Sequence, residues 1–201
     1  MAKKLYFQHA PMESGKSAML LIEAYNFEKR NIGFLCLKPS IDNRENKHKI
    51  CSRIGIEKDC LTIYPDYDIF KIVKDKILSK QETDLQLQWI LVDESQFLTT
   101  EQVEQLRAIV DDLDINVLCY GLRTDFKTHL FEGSKRLFEL ADDITEMKIS
   151  CACGGKAIFN ARFNDNGELV TSGEQVLIGG EDKYKPMCSK CYREEISKSL
   201  K

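Results

Sequence analysis

Residues 8–17, QHAPMESGKS, carry the residue types of a phosphate-binding loop. Gly15, Lys16 and Ser17 occupy the last three positions of the pattern G-x-x-x-x-G-K-[ST], while Ala10 stands where the first glycine is usual. In such a loop, backbone N–H groups face the phosphate, the lysine reaches the terminal phosphates, and the hydroxyl group holds magnesium. Alanine adds only one methyl group, so we expect phosphate binding, with an ordinary strand-to-helix turn as the alternative. The expected phosphate-binding residues are Ala10, Pro11, Met12, Glu13, Ser14, Gly15, Lys16 and Ser17.

Two adjacent acids follow the apolar run WILV at residues 89–92. A strand that ends in Asp93 places a carboxylate at the C-terminal edge of a sheet, beside the phosphate loop, where it can hold magnesium through water. Glu94 comes next and either takes a proton from an attacking group or is a solvated acid at a strand end. The phosphate loop favours the first interpretation, because phosphoryl transfer needs positioning, magnesium and a group that orients or deprotonates the acceptor.

Four of the eight cysteines form two close pairs, Cys151-x-Cys153 and Cys188-x-x-Cys191. Each pair can offer two thiolates from one turn, and the two pairs together can complete a tetrahedral zinc site of the structural kind. Reduced thiols or disulfides are the alternatives. The cysteines that lie in apolar runs are typical of small core residues, namely Cys36 and Cys119.

Up to about residue 145, apolar runs alternate with amphipathic stretches. The runs are mostly apolar on both faces, as in buried parallel strands, at residues 5–8, 32–38, 88–94 and 115–121. The predicted apolar helix faces are Ala18, Leu21, Ile22 and Tyr25; Ile69, Ile72, Val73 and Ile77; and Val103, Leu106, Val110 and Leu113. Thr99 followed by Gln102 resembles a capping box at the start of the third helix. This alternation predicts a parallel α/β sheet covered on both sides.

From Cys151 onward the composition changes, with the glycine-containing segments CACGG, NDNG and IGG. Short β-like runs at residues 157–163 and 168–170 flank an Asn-Gly pair, which predicts a β-hairpin. At 201 residues the chain is long enough for one larger domain and a small satellite. We therefore predict two units, residues 1–148 and residues 149–201.

The charge balance limits the function classes. With 29 Lys and Arg against 32 Asp and Glu, and a net charge of −3, the chain has no overall basic field to hold nucleic acid. The N-terminus has too short an apolar run for a signal peptide, and no stretch approaches the ~18 apolar residues of a membrane span. We therefore expect a cytoplasmic protein that binds neither nucleic acid nor membranes and holds phosphate locally.

The motifs APMESGKS, LVDESQF, CYGLRTDF, CACGG, VLIGGEDKY and CSKC occur in this order through nearly the whole chain. In this combination the sequence resembles the thymidine kinase family of the cytosolic, zinc-containing type. The resemblance implies a RecA-like α/β P-loop domain and a small, β-rich, zinc-binding lid domain with a lasso loop over the nucleoside. It implies transfer of the γ-phosphate of ATP, with Mg²⁺, to the 5′-hydroxyl of thymidine, giving dTMP in pyrimidine deoxynucleotide salvage, and also to the 5′-hydroxyl of deoxyuridine. Feedback inhibition by dTTP and a homotetramer are further implications.

The resemblance also assigns roles to residues. Glu94 is similar to the family's base for the 5′-hydroxyl. The segment that the resemblance places against the phosphates is Asp93, Glu94, Ser95 and Gln96. The residues similar to those of the nucleoside site are Met12, Asp42, Arg44, Phe97, Leu122, Phe126, Val176, Ile178, Gly179 and Tyr184. Taken alone, Arg44 is typical of a solvated charge, and Arg123 and Asp125 in GLRTDF leave the local pocket contacts open.

A competing hypothesis is a RecA-like ATPase module whose zinc-binding unit contacts nucleic acid or a protein partner. It would use the same phosphate loop and Asp93. The segment between the cysteine pairs, residues 162–182, is acidic and lacks a basic stripe, which argues against nucleic acid. A non-catalytic scaffold would leave the predicted active-site residues without a use.

Overall fold

The computed structural model describes residues 2–41, 48–79, 85–176 and 183–199. The strands of its central sheet are β1 (Leu5–His9), β2 (Gly33–Pro39), β5 (Leu61–Ile63), β6 (Leu87–Val92), β7 (Asn116–Gly121) and β8 (Asp143–Glu146). The strand order is β5-β2-β6-β7-β1-β8, and every neighbouring pair is parallel. The predicted parallel α/β sheet is therefore confirmed, and two edge strands, β5 and β8, join the four that the sequence predicts.

Helices and a small hairpin cover both faces of this sheet. The elements on one face are α2 (Ile69–Leu78), α3 (Thr100–Leu113) and α4 (Glu132–Leu140); those on the other are α1 (Lys16–Lys29) and the hairpin of β3 (Lys49–Cys51) and β4 (Glu57–Asp59). Successive residues of β6 alternate between the layers, since Ile90 and Val92 face α3 whereas Leu91 faces α1. Burial on both sides explains why the strands are almost continuously apolar. Within the described ranges, no helix combines the length and apolar character that a membrane crossing requires.

The buried face of α1 differs from the predicted one. The pattern predicts the apolar face Ala18, Leu21, Ile22 and Tyr25. Ile22 and Tyr25 are in fact exposed, as is Ile77 on α2. The core residues of α1 are Leu20, Leu21, Ala24 and Phe27. Two stripes with helical spacing compete on α1, and the one that contains Phe27 is buried, with its ring 5.1 Å from that of Trp89 on the sheet.

Local sequence signals explain where α2 and α3 begin. Thr99 Oγ1 accepts a hydrogen bond from the N–H of Gln102, whose side chain in turn accepts one from the N–H of Thr99. The capping box at α3 is therefore confirmed. Asp68 caps α2 by accepting a hydrogen bond from the N–H of Lys71 at 2.9 Å. Each cap satisfies backbone donors that the first helical turn leaves unpaired.

A smaller unit follows β8. It consists of the antiparallel pair β9 (Phe159–Arg162) and β10 (Tyr184–Met187), the helix α5 (Ser189–Ser199) and their connections. The predicted hairpin within residues 157–170 is only partly correct. The chain does reverse at Asn164, whose Oδ1 accepts hydrogen bonds from the N–H groups two and four residues later, but only one bridge, Phe163 with Leu169, follows. The ladder partner of β9 is β10, which is distant in sequence and could not be inferred from the local turn.

Gly133→Ala is expected to destabilise the fold, although alanine is ordinarily the better helix former by about 1 kcal/mol. A Cβ atom at Gly133 would lie 2.5 Å from the carbonyl oxygen of Ser95 and 2.7 Å from that of Leu98, because α4 packs directly on this segment. Overpacking of this kind costs about 1–3 kcal/mol. Chemical denaturation can compare Gly133→Ala with Lys135→Ala, a change at an exposed position of the same helix. Equal stability of the two variants would show that the segment moves aside without cost.

Candidate active site

The phosphate-loop motif connects β1 to α1, in the context that the sequence predicts. The left-handed residues in this loop are Glu13, at φ 62°, and Gly15, at φ 77°. Ala10 does not adopt such a conformation; it is fully buried, and its N–H donates to the carbonyl of Gly121 at 3.2 Å. The backbone freedom of glycine is therefore not used at this position, which explains how alanine replaces it.

Lys16 is buried at the first position of α1. Its Nζ donates to the carbonyl of Pro11 at 2.9 Å and lies 3.3 Å from Oγ of Ser14. These contacts keep the ammonium group within the loop. The ammonium group and the N-terminus of α1 together make the loop suitable for an anion, because both carry positive charge toward the same space.

Asp93 directly follows β6 and is almost completely buried. Its N–H donates to the carbonyl of Leu37 at 3.0 Å, and its carboxylate accepts a hydrogen bond from the hydroxyl of Ser17. Burial raises the pKa of Asp93, and the negative charge of Glu94 raises it further. Among the described residues, Oδ1 of Asp93 has no hydrogen-bond partner. A buried carboxylate oxygen without a partner, beside a hydroxyl group, fits the hard oxygen ligands that Mg²⁺ prefers.

Glu94 is held in a left-handed conformation, at φ 50°, where it precedes a short 3₁₀ turn (Ser95–Phe97). Its carboxylate accepts a hydrogen bond from Nε2 of Gln96. Oε1 of Gln96 accepts a second one from the N–H of Leu122 at 2.9 Å. Backbone strain of this kind persists where the surroundings fix it and is common at functional sites. The orientation of Glu94 is thus tied to the loop that follows β7.

One cavity of about 600 Å³ connects the phosphate loop to both acids and to the apolar residues predicted for the nucleoside. This volume is in the range of small-molecule sites. The predicted nucleoside residues that line it are Met12, Phe97, Leu122, Phe126, Val176 and Tyr184. The predicted residues that lie outside the described ranges are Asp42, Arg44, Ile178 and Gly179.

The polar residues that line the same cavity and for which no role is predicted from the sequence alone include Thr124, Asp125, Asn160 and Gln175. Asp125 accepts a hydrogen bond from Nε2 of Gln175 at 3.0 Å and two from backbone N–H groups of its own loop. Arg123 donates to the carbonyl of Ile158 at 3.2 Å. Arg123 and Asp125, whose contacts the motif GLRTDF left open, therefore each make one hydrogen bond to the C-terminal unit. The sequence does contain one indication of a role for Asn160, since it is a polar residue within the otherwise β-like run AIFNARF.

Phe126 belongs to the β7–α4 loop (residues 122–131), and the C-terminal unit contacts this residue at two points. The hydroxyl of Tyr192 donates to the carbonyl of Phe126 at 2.7 Å. The guanidinium group of Arg162 stacks on the ring of Phe126, 3.6 Å from its centroid. These two contacts fix both the backbone and the ring of this residue, which is buried beside the cavity.

The cysteine cluster (Cys151, Cys153, Cys188 and Cys191) brings both predicted pairs together, with all four sulfur atoms within 4.8 Å of one another. Sγ of Cys153 and Sγ of Cys188 are 3.6 Å apart, too far for a disulfide bond of about 2.05 Å. Hydrogen bonds from the backbone N–H groups of Cys153 and Cys188 lower the pKa of Cys151 to about 6. Neighbouring thiols, in contrast, raise the pKa of Cys191 to about 12. Four sulfur atoms at this spacing fit the ligand set of a tetrahedral metal ion. Cys36 and Cys119 are buried in strands, as predicted.

A phosphate loop after one strand of a parallel sheet, with an acid after another, defines a P-loop nucleotide-binding protein. The family model described as thymidine kinase matches residues 3–192. The chain belongs to the thymidine kinase family.

Curated relatives agree with this assignment. The thymidine kinase of Pasteurella multocida is 45% identical over 194 residues, which are 96% of this chain and 98% of that protein. That of Shewanella oneidensis is 45% identical over 193 residues, with 96% and 98% covered, and that of Rhodopirellula baltica is 44% identical over 194 residues, with 96% and 89% covered. Among solved structures, an ATPase domain aligns over 92% of this chain and 85% of that chain, with 11% identity and a TM-score of 0.49.

Purified protein is expected to carry about one metal ion per chain in the cysteine cluster. Cys188→Ser should lower both the metal content and the melting temperature, because the binding energy of a structural site is partly folding energy. Metal analysis by mass spectrometry and thermal unfolding measure the two effects. Cys60→Ser, a change of a cysteine outside the cluster, is the matched control. Metal-free protein with a normal melting temperature would contradict the prediction.

Proposed function

We propose that the chain is an ATP-dependent thymidine kinase, which transfers the γ-phosphoryl group of ATP to the 5′-hydroxyl of thymidine to give dTMP, and which also phosphorylates deoxyuridine at its 5′-hydroxyl. The observation that carries the proposal is a continuous cavity that joins the phosphate loop, the Asp93–Glu94 pair and an apolar pocket. Membership of the thymidine kinase family supports the choice of nucleoside. The products from thymidine are dTMP and ADP, since the bond between the γ-phosphorus and its bridging oxygen breaks as the new ester bond forms.

On the donor side, the phosphate loop, residues 10–17, holds the triphosphate of ATP. The ammonium group of Lys16 exchanges its contact with Pro11 for the β- and γ-phosphates, to which a lysine at this position reaches. Ser17 and Asp93 hold Mg²⁺, directly or through water. When bound, this ion neutralises charge on the phosphate oxygens. The position of Oδ1 of Asp93, buried and without a partner in the described part of the chain, supports the assignment.

On the acceptor side, Glu94 takes the proton of the 5′-hydroxyl as the 5′-oxygen of the nucleoside attacks the γ-phosphorus. Its left-handed backbone and the hydrogen bond from Gln96 hold the carboxylate in one orientation. Orientation matters because a general base must lie within hydrogen-bond reach of the proton that it accepts. Ser95 supports this segment, since its buried hydroxyl donates to the carbonyl of Tyr120 at 2.9 Å.

The pyrimidine occupies the apolar part of the cavity, between Phe97, Leu122 and Phe126. Residues 149–201 form a separate lid domain on the P-loop domain of residues 1–148. Zinc in the cysteine cluster stabilises the lid domain internally. The contacts of Arg162 and Tyr192 with Phe126 support a lid that shapes the pocket. The further nucleoside contacts of this proposal are Met12, Asp42, Arg44, Val176, Ile178, Gly179 and Tyr184. A homotetramer, feedback inhibition by dTTP and a cytoplasmic location complete the proposal.

ATP consumption by purified protein is expected to depend on added thymidine, and deoxyuridine is expected to act as a second substrate. A pocket that recognises one methyl group discriminates by about 1–3 kcal/mol, so deoxyuridine should be used about 5- to 150-fold less efficiently. A coupled ADP assay with a panel of nucleosides and with single-stranded DNA measures both. ATP consumption that ignores thymidine and responds to DNA would support the competing nucleic-acid-driven ATPase instead.

Glu94→Gln is expected to lower kcat by about 10²- to 10⁴-fold while thymidine still binds, because glutamine keeps the shape of the side chain but cannot accept the proton. Asp93→Asn should mainly weaken the productive magnesium–ATP arrangement, so added magnesium should recover part of its activity. The measurement is kcat and thymidine affinity of both variants across a magnesium titration. If Glu94→Gln keeps the wild-type kcat, the base lies elsewhere.

A further inference from the structure

Asn160 on β9 bridges two loops that leave the central sheet from neighbouring strands. The N–H of Met12 in the phosphate loop donates to its Oδ1 at 2.7 Å, and its Nδ2 donates to the carbonyl of Thr124 in the β7–α4 loop at 3.1 Å. The residue is only 3% exposed. A backbone N–H can only donate and a carbonyl can only accept, so these partners fix the orientation of the amide group.

The amide of Asn160 lies where direct pairing between β1 and β7 comes to an end. At this edge, the N–H of Ala10 donates to the carbonyl of Gly121. Beyond that bond the segment after β1 turns into the phosphate loop, and the segment after β7 turns toward the apolar pocket. The side-chain amide of Asn160 lies between the two loops as a backbone peptide group would. It accepts a hydrogen bond from the phosphate loop and donates one to the β7–α4 loop. It therefore sets the distance at which the two loops stand apart.

We propose that Asn160 is a positioning residue for phosphoryl transfer, which sets the separation between the donor phosphate loop and the nucleoside-facing wall of the cavity. The inference rests on the proposed function. Both polar ends of the amide are held by backbone groups, so Asn160 acts through Met12 and through the loop that carries Leu122 and Phe126. In-line transfer requires the 5′-oxygen close to the γ-phosphorus, and a displacement of about 1 Å can cost about 10²-fold in rate.

Two variants test this role. Asn160→Leu keeps the approximate shape and removes both hydrogen bonds, while Asn160→Asp keeps the acceptor for Met12 and removes the donor to Thr124. For both, kcat of thymidine phosphorylation should fall at least about tenfold, while KM for ATP and for thymidine each change by less than about threefold. The ratio of ADP released to dTMP formed should rise above one, because a misplaced acceptor lets water compete for the phosphoryl group. Metal content and melting temperature are measured alongside, with assays kept well below the melting temperature of each variant.

Asn116→Leu is the matched control. Asn116 Oδ1 accepts a hydrogen bond from the N–H of Lys4 at 3.1 Å, so it links β1 and β7 at their N-terminal ends, opposite to the site. We expect this variant to keep the wild-type kcat and the wild-type ratio of ADP to dTMP. A matching loss of kcat in Asn116→Leu would show that any weakening of this strand pair slows the enzyme, and would overturn the specific role of Asn160.

The other outcomes are also decisive. Wild-type protein without thymidine-dependent activity would refute the proposed function itself. Active wild-type protein with an unchanged kcat in both Asn160 variants would refute only the positioning role. A rise confined to the KM of thymidine would make Asn160 a direct contact of the nucleoside. A loss of activity in proportion to lost metal, with a constant ratio of ADP to dTMP, would make Asn160 a purely structural residue. The rise in KM and the metal-dependent loss would each overturn the inference.

Discussion

The candidate site depends on the parallel pairing of three neighbouring strands, β6, β7 and β1. Parallel strands end at the same edge of a sheet, so the phosphate loop, the β7–α4 loop and Asp93 all emerge on one side. The register also matters, because His9 pairs with Gly121 whereas Val92 pairs with Cys119. Since β7 continues past the end of β6, the segment after Asp93 can turn across it and bond to the carbonyl of Tyr120.

This edge of the sheet concentrates polar groups that a stable core would avoid. Lys16 and Gln96 are buried with hydrogen-bond partners, but Oδ1 of Asp93 has none within the described ranges. A buried polar atom in this state costs about 1–3 kcal/mol. Such exceptions are expected at functional sites, where a ligand completes the coordination that the protein leaves open. The apolar layers on both faces of the sheet provide the stability that makes the exception tolerable.

The C-terminal unit contributes to the site through the β7–α4 loop. Asn160, Arg162 and Tyr192 contact this loop at its backbone and at the ring of Phe126. Tyr192 directly follows Cys191 of the cysteine cluster, and its ring packs against Phe159 with centroids 5.0 Å apart. The cysteine cluster is therefore connected to the apolar pocket through Tyr192 and Phe126. None of its four cysteines itself lines the cavity.

The sequence by itself determined the parallel α/β class, the phosphate loop, the capping box of α3 and both cysteine pairs, because each is encoded in contiguous residues whose spacing has a direct physical meaning. It did not determine which stripe of α1 is buried, since two stripes have helical spacing and the aromatic packing of Phe27 decides between them. Nor did it identify β10 as the partner of β9, or Asn160 as the link between Met12 and Thr124. Those contacts join residues far apart in the chain, and only the folded arrangement of the sheet edge and the C-terminal unit brings their atoms within hydrogen-bond distance.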